Sequence, residues 1–194
     1  SVAIDAANNN NTAATQFSIV YDATAPTVVI SSSATSPTNT SPIPVTVEFS
    51  ETVTGFVVGD ITVGNGTKSN FVAVDGNSYT IDVAPSADGA VTVNIAGSVA
   101  IDAAGNNNAA ATQLSRVYDS TIPTVGITNP TVSVNNGNKT SFAVAGTCSE
   151  SGRVVAINAA STGGGAAVSA TPNCGAGVWS TSLNLSGLGD GTVT

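Results

Sequence analysis

The side chains best equipped for chemistry are carboxylates: Asp22 in YDATAP, Glu51 in FSE and Asp102 in DAAGN, with the amide of Asn106 four residues after Asp102. Carboxylate, amide and carbonyl oxygens are hard ligands, and calcium gathers six to eight of them in a flexible shell. The pattern recurs. Asp119 in YDSTIP matches Asp22, and Glu150 in CSE matches Glu51. Asp5, with Asn9 as its amide neighbour, matches Asp102 and would have to come from an adjacent copy. With no His in the chain, zinc is a poor fit. The same Asp and Asn residues also favour turns, where they bond to nearby backbone without any ion. Both readings stay open. Asp60, in VGDIT, is an outside candidate, whereas Asp75, Asp82, Asp88 and Asp190 read as turn or solvated-face residues.

Other chemistries are poorly supplied. Nothing resembles a GxSxG elbow or a phosphate-binding loop, and neither cysteine has an imidazole to activate it, so the chain reads as no enzyme. Four Lys and Arg against 12 Asp and Glu give a net charge of −8, which argues against a nucleic-acid partner. No run of 18 apolar residues offers a membrane span. Cys148 and Cys174 are an even pair in a Lys-poor, Asn-rich sequence, which suggests an oxidising, extracellular setting.

The elements that must position these groups are set out by an internal repeat. Residues 1–30, SVAIDAANNNNTAATQFSIVYDATAPTVVI, match 98–127, SVAIDAAGNNNAAATQLSRVYDSTIPTVGI, at an offset of 97 residues. That is about the size of one sandwich domain. YDATAP and YDSTIP read as linkers, with Pro holding the chain extended. One complete domain is expected over 23–119. A second, 120–194, stops at DGTVT, the counterpart of DGAVT at 88–92, and is expected to lack its last strands. Residues 1–22 are the matching terminal strand segment of a preceding or neighbouring domain. The chain is thus expected to be a window on a longer repeat polymer, or a subunit whose first residues insert into the next copy's open sandwich. In either case identical neighbouring copies are the expected partners.

Period-two alternation fills the complete domain: Val28 and Ile30; Ile43, Val45, Val47 and Phe49; Tyr79, Ile81 and Val83; Val91, Val93 and Ile95. Asn65-Gly66, Asp75-Gly76 and Asp88-Gly89 act as turn signals. No helical period appears. The prediction is an all-β chain of tandem Greek-key β-sandwiches arranged end to end. The second domain reads likewise, with Val125 and Ile127, Phe142 and Val144, Val155 and Ile157, then Trp179, Leu183 and Leu185 on one face. In a seven-stranded sandwich the ends of the second and sixth strands return to the pole where the linker enters. Asp22, Glu51 and Asp102 should therefore meet there. Cys148 and Cys174 fall at the equivalent pole of the second domain, so a disulfide is geometrically plausible, against two free thiols.

PTVVISSSATSPTNTSPIPVTVEFSETVTGF, GDITVGNG and DGAVTVNIAGSVAIDAAGNNN resemble bacterial Ig-like repeat domains. TIPTVGITNP, VAGTCSESG and GVWSTSLNLSGLGDGTVT resemble a second, related type. The resemblance implies a stalk or filament segment of a large secreted or cell-surface adhesin, and the acid clusters are similar in logic to the interdomain calcium sites of cadherins. The alternative is a module that binds a glycan or a host protein, although the few aromatics, Phe49, Phe56, Phe71 and Tyr79, read as core rather than as a binding strip.

Overall fold

The fold is described from a computed structural model covering residues 3–128 and 132–194. The chain divides into two units, 1–120 and 121–194.

In unit 1 seven strands follow in order: β1 (Val28–Ser31), β2 (Ile43–Phe49), β3 (Ile61–Gly64), β4 (Gly66–Ala73), β5 (Ser78–Pro85), β6 (Gly89–Ile95) and β7 (Leu114–Tyr118). They form two antiparallel sheets, β1-β2-β5-β4 and β3-β6-β7. The alternating apolar residues of both sheets turn inward, which is what a pleat with one dry face requires. Val47 and Val83 are fully buried, and Ile43, Phe49, Ile61 and Val93 nearly so. Phe49, Phe56, Phe71 and Tyr79 cluster at one end with ring centroids 4.9–6.0 Å apart. Edge-to-face contacts dominate, the arrangement that ring quadrupoles favour. Of the three expected turns, only Asp75-Gly76 closes a hairpin, between β4 and β5 of one sheet. Asn65-Gly66 and Asp88-Gly89 carry the chain from one sheet to the other.

Unit 2 holds β8 (Val125–Thr128), β9 (Phe142–Cys148), β10 (Ile157–Ala159), β11 (Val168–Ala170) and β12 (Val178–Leu183). β12-β9-β8 form one sheet and β10-β11 a small second one. The β8–β9 register, Ile127 opposite Gly146, reproduces that of β1–β2, where Ile30 faces Val47. Trp179 is buried, and its indole N–H donates to the carbonyls of Gly126 and Thr147 at 3.2 and 3.1 Å. Gly146 makes room for it: a Cβ there would lie 2.6 Å from the indole. Cys148 and Cys174 are joined by a disulfide across a separation of 26 residues.

Two sequence expectations need correction. Val125 and Ile127 are not core: they are 58% and 64% exposed, whereas their counterparts Val28 and Ile30 are 6% and 8% exposed. The alternation is the same, but of the strands that face β1 in unit 1, β6 is matched only by the short 191–194 segment, and β7 has no counterpart in unit 2 among the described residues. Val155 is buried but stands before β10 rather than in it, beside an isolated bridge between Val154 and Asn173.

Candidate functional site

At the end of unit 1 where residue 22 enters, β2 finishes at Phe49 and leads to Glu51, and the loop after β6 carries Asp102. Asp22, Glu51 and Asp102 each offer a carboxylate oxygen, and these three atoms lie within 4.8 Å of one another. Asp22 is exposed, Glu51 half-buried and Asp102 buried. Partial desolvation and the facing charges of Asp102 and Asp22 hold the Glu51 carboxyl above its ordinary range.

Asp102 has a second role. Its Oδ1 accepts from the backbone N–H groups of Ala104 and Asn106 at 2.9 and 2.8 Å, and its Oδ2 accepts from Asn106 Nδ2 at 2.8 Å. These bonds, the Asn106 side chain first, hold its carboxyl low against the opposing effect of burial. Asn106 Nδ2 also donates to the Asp22 carbonyl at 3.3 Å, which ties the entering segment to the loop. The turn former and the candidate ligand are therefore the same residue. A carboxylate accepts about four hydrogen bonds or ligands. Asp102 is thus largely committed to its own turn, while one of its oxygens stays within 4.8 Å of carboxylate oxygens of Asp22 and Glu51. Asp60 caps the short 3-10 turn before β3, taking the Val57 N–H at 2.8 Å.

The residues of the second acid set are each placed within their own unit. Glu150 faces Arg153 at 3.6 Å in unit 2, Asp119 follows β7 with its N–H on the Thr38 carbonyl, and Asp5 organises its own turn. That turn repeats the Asp102 turn bond for bond. Asp5 Oδ1 accepts from Ala7 and Asn9 N–H at 2.8 and 2.9 Å, and Oδ2 accepts from Asn9 Nδ2 at 2.9 Å. Left-handed backbone is needed at the same place, supplied by Asn8 (φ 68°) in one copy and Gly105 (φ 90°) in the other. Surroundings differ completely. Residues 3–25 are all exposed, whereas Asp102 and Asn108 are buried.

Asn108 is a residue that sequence reasoning passed over. Its Oδ1 accepts from Val99 and Ala100 N–H, each at 2.9 Å, and its Nδ2 donates to the carbonyls of Ala96 and Ala109. One side chain thereby satisfies four backbone groups and seats the loop against the sheet. Asn11, its counterpart, repeats two of these bonds among the described residues: its Oδ1 accepts from Ala3 N–H at 2.8 Å and its Nδ2 donates to the Thr12 carbonyl at 2.6 Å.

Beyond each turn the two copies diverge. In unit 1 the chain continues into β7 beside β6, with Arg116 opposite Val91 and Leu114 buried opposite Val93. The corresponding residues 12–21 lie in no strand, and Phe17, Ile19, Val20 and Tyr21 are 78–89% exposed. Unit 2 shows the complementary feature. Its 191–194 segment, the counterpart of β6, pairs on one side with 160–162 through Thr192 and Thr194. The N–H and C=O of Val193 consequently face the opposite edge, where nothing pairs with them among the described residues. Beside that edge opens an apolar cleft of about 470 Å³ lined by Ile127, Val132, Val134, Phe142, Leu183 and Val193.

The family model for the bacterial Ig-like domain matches residues 22–118, half of the chain. The chain belongs to the bacterial Ig-like domain family. No curated protein and no solved structure matches it. Bacterial Ig-like domains are typically non-enzymatic and occur in surface and extracellular proteins. The disulfide fits that setting; among the described residues no helix is long and apolar enough to cross a membrane.

Proposed function

We propose that this bacterial Ig-like chain is a structural segment of an extracellular adhesin or filament at the bacterial surface, assembled by strand complementation between copies. The supporting observation is the pairing of opposites within one sequence. Residues 3–21 carry a preformed turn and an exposed apolar strand-like run, and unit 2 carries an open sheet edge above an apolar cleft. In unit 1 the same sequence, 98–118, fills the equivalent place. Backbone bonding along an open edge supplies affinity, and side chains on one face supply register. Sedimentation of the full chain over a concentration series tests this. Growth of multimers with concentration supports the reading, as does their loss on Phe17→Asp, a change at an exposed position that leaves both units' cores intact. A monomer at every concentration contradicts it.

We further propose that Asp22, Glu51 and Asp102 hold calcium. Three carboxylates so close repel one another, and a divalent cation relieves that repulsion while fastening the entering segment to the ends of β2 and β6. Water and backbone carbonyls would complete the shell.

A further inference from the structure

A small clamp recurs at the entering pole of both units. Thr27 N–H donates to Ser50 Oγ at 3.0 Å and Ser50 N–H to the Thr27 carbonyl at 2.9 Å; Thr124 and Ser149 exchange the same two bonds at 2.9 and 3.0 Å. Pro26 and Pro123, one residue earlier, therefore stand in equivalent places. Pro26 is fully buried, and the loop 100–109 is bonded over it. Ala109 N–H donates to the Pro26 carbonyl at 2.9 Å, Thr54 and Ile101 exchange two backbone bonds at 2.8 and 3.0 Å, and Ala100 joins the core. Pro123 is exposed. Beside it opens a cleft of about 390 Å³ lined by Pro123, Val125, Cys148, Val154, Val155 and Cys174. Val154, shortly after Ser149 as Thr54 is after Ser50, forms a bridge with Asn173 whose bonds run from the N–H groups of Val155 and Cys174. Its own N–H and C=O consequently turn away from Asn173. Neither they nor the Pro123 carbonyl meet a backbone partner among the described residues.

We infer that this cleft receives the preformed turn of a second copy, residues 3–12, as a contact additional to strand exchange, and the inference rests on the complementation reading above. The turn carries the matching groups. Its internal bonds copy those of 100–109: Asn11 N–H donates to the Ala3 carbonyl as Asn108 does to Ala100, and Asp5 N–H to Asn9 as Asp102 does to Asn106. Left over are the N–H and C=O of Ile4 and the N–H of Thr12, which no described residue takes. Their counterparts in Ile101 and Ala109 are the groups bonded to Thr54 and Pro26. Seated as in unit 1, Ile4 exchanges two bonds with Val154, and Thr12 N–H reaches the Pro123 carbonyl. Donors and acceptors match one for one. Ile4 and Val154, 60% and 61% exposed, become cross-strand neighbours and cover each other's side chains. Ala3, the counterpart of buried Ala100, places a methyl group among the valines. Since the turn is formed before it docks, little ordering entropy is lost. The contact also sets register. A strand that slips by two residues keeps its alternation, but its turn then misses Val154 and Pro123.

The test uses the full chain carrying Asp5→Ala with Phe17→Asp as acceptor, so that its own first segment does not compete. Fluorescent peptides of residues 12–21 and 3–21 are the probes, read by anisotropy. The longer peptide should bind about tenfold more tightly or better. Asp5→Ala in that peptide, which removes the side chain that organises the turn, should return it to the level of 12–21. Val154→Pro in the acceptor deletes an N–H that unit 2 itself does not use, and should erase the gain while leaving binding of 12–21 as it was. Trp179 fluorescence reports whether unit 2 of that variant is folded, and the comparison of peptides stands without it. Equal binding of the two native peptides, or a gain that survives Asp5→Ala, would overturn the turn contact while leaving complementation in place. No binding of either would overturn both.

Discussion

Asn108 and Asp102 do at the residue scale what a turn type does elsewhere, holding backbone groups that a sheet cannot reach. Replacing Asn108 by Ala leaves the buried N–H of Ala100 and the half-buried N–H of Val99 without their partner, and each buried orphan costs about 1–3 kcal/mol before relaxation. Asn108→Ala should therefore lower unit 1's stability by about 2–3 kcal/mol in chemical denaturation, while Asn11→Ala, in the exposed copy of the turn, should leave it unchanged. Glu51 makes a separate prediction. Millimolar calcium should raise the melting midpoint of unit 1, a chelator should reverse the rise, and Glu51→Gln should abolish it while leaving the calcium-free protein as stable or more so. A midpoint indifferent to calcium removes the metal proposal. The meeting of Asp22, Glu51 and Asp102 was legible from sequence, because strand order alone decides which ends share a pole. Asn108 was not, because nothing in a run of three identical asparagines says which one faces inward.

Elements with the same pattern need not have the same surroundings. β1 and β8 share alternation and register, yet one is buried and the other open, because burial depends on a covering strand that lies far away in the sequence. The turn signals show the same limit: Asn-Gly announces a reversal but not whether the chain stays in its sheet, and here two of three reversals change sheets. The cysteines were placed correctly, since one ends β9, the counterpart of β2, and the other precedes β12, the strand that returns beside it. Closing a loop of 26 residues stabilises by roughly 3–4 kcal/mol in the chain-entropy account. The double change Cys148→Ser with Cys174→Ser should lower unit 2's stability by up to about that amount and leave unit 1 untouched. Trp179, the single tryptophan, reports on unit 2 alone, so its fluorescence can follow this loss without interference from unit 1.

At the scale of the whole molecule the chain carries a repeat out of phase with its own units. The run 98–118 is folded into unit 1, and its twin at 1–21 is exposed from residue 3 onward and shaped in advance. On the complementation proposal such a chain is completed by contact with further copies, and its function lies in length and stiffness. Low charge, small side chains and a net excess of carboxylates are compatible with close packing tuned by cations. Register-specific cross-linking tests this most directly. Cysteines placed at Ile19 and Val193 would face each other across a β6/β7-type ladder, at the separation of directly opposed strand residues. The double variant Ile19→Cys with Val193→Cys should give, under mild oxidation, a ladder of covalent multimers, and each single variant no more than dimers. A double variant that stays monomeric, or that closes the new disulfide within one chain, would contradict assembly by exchange of strands between copies.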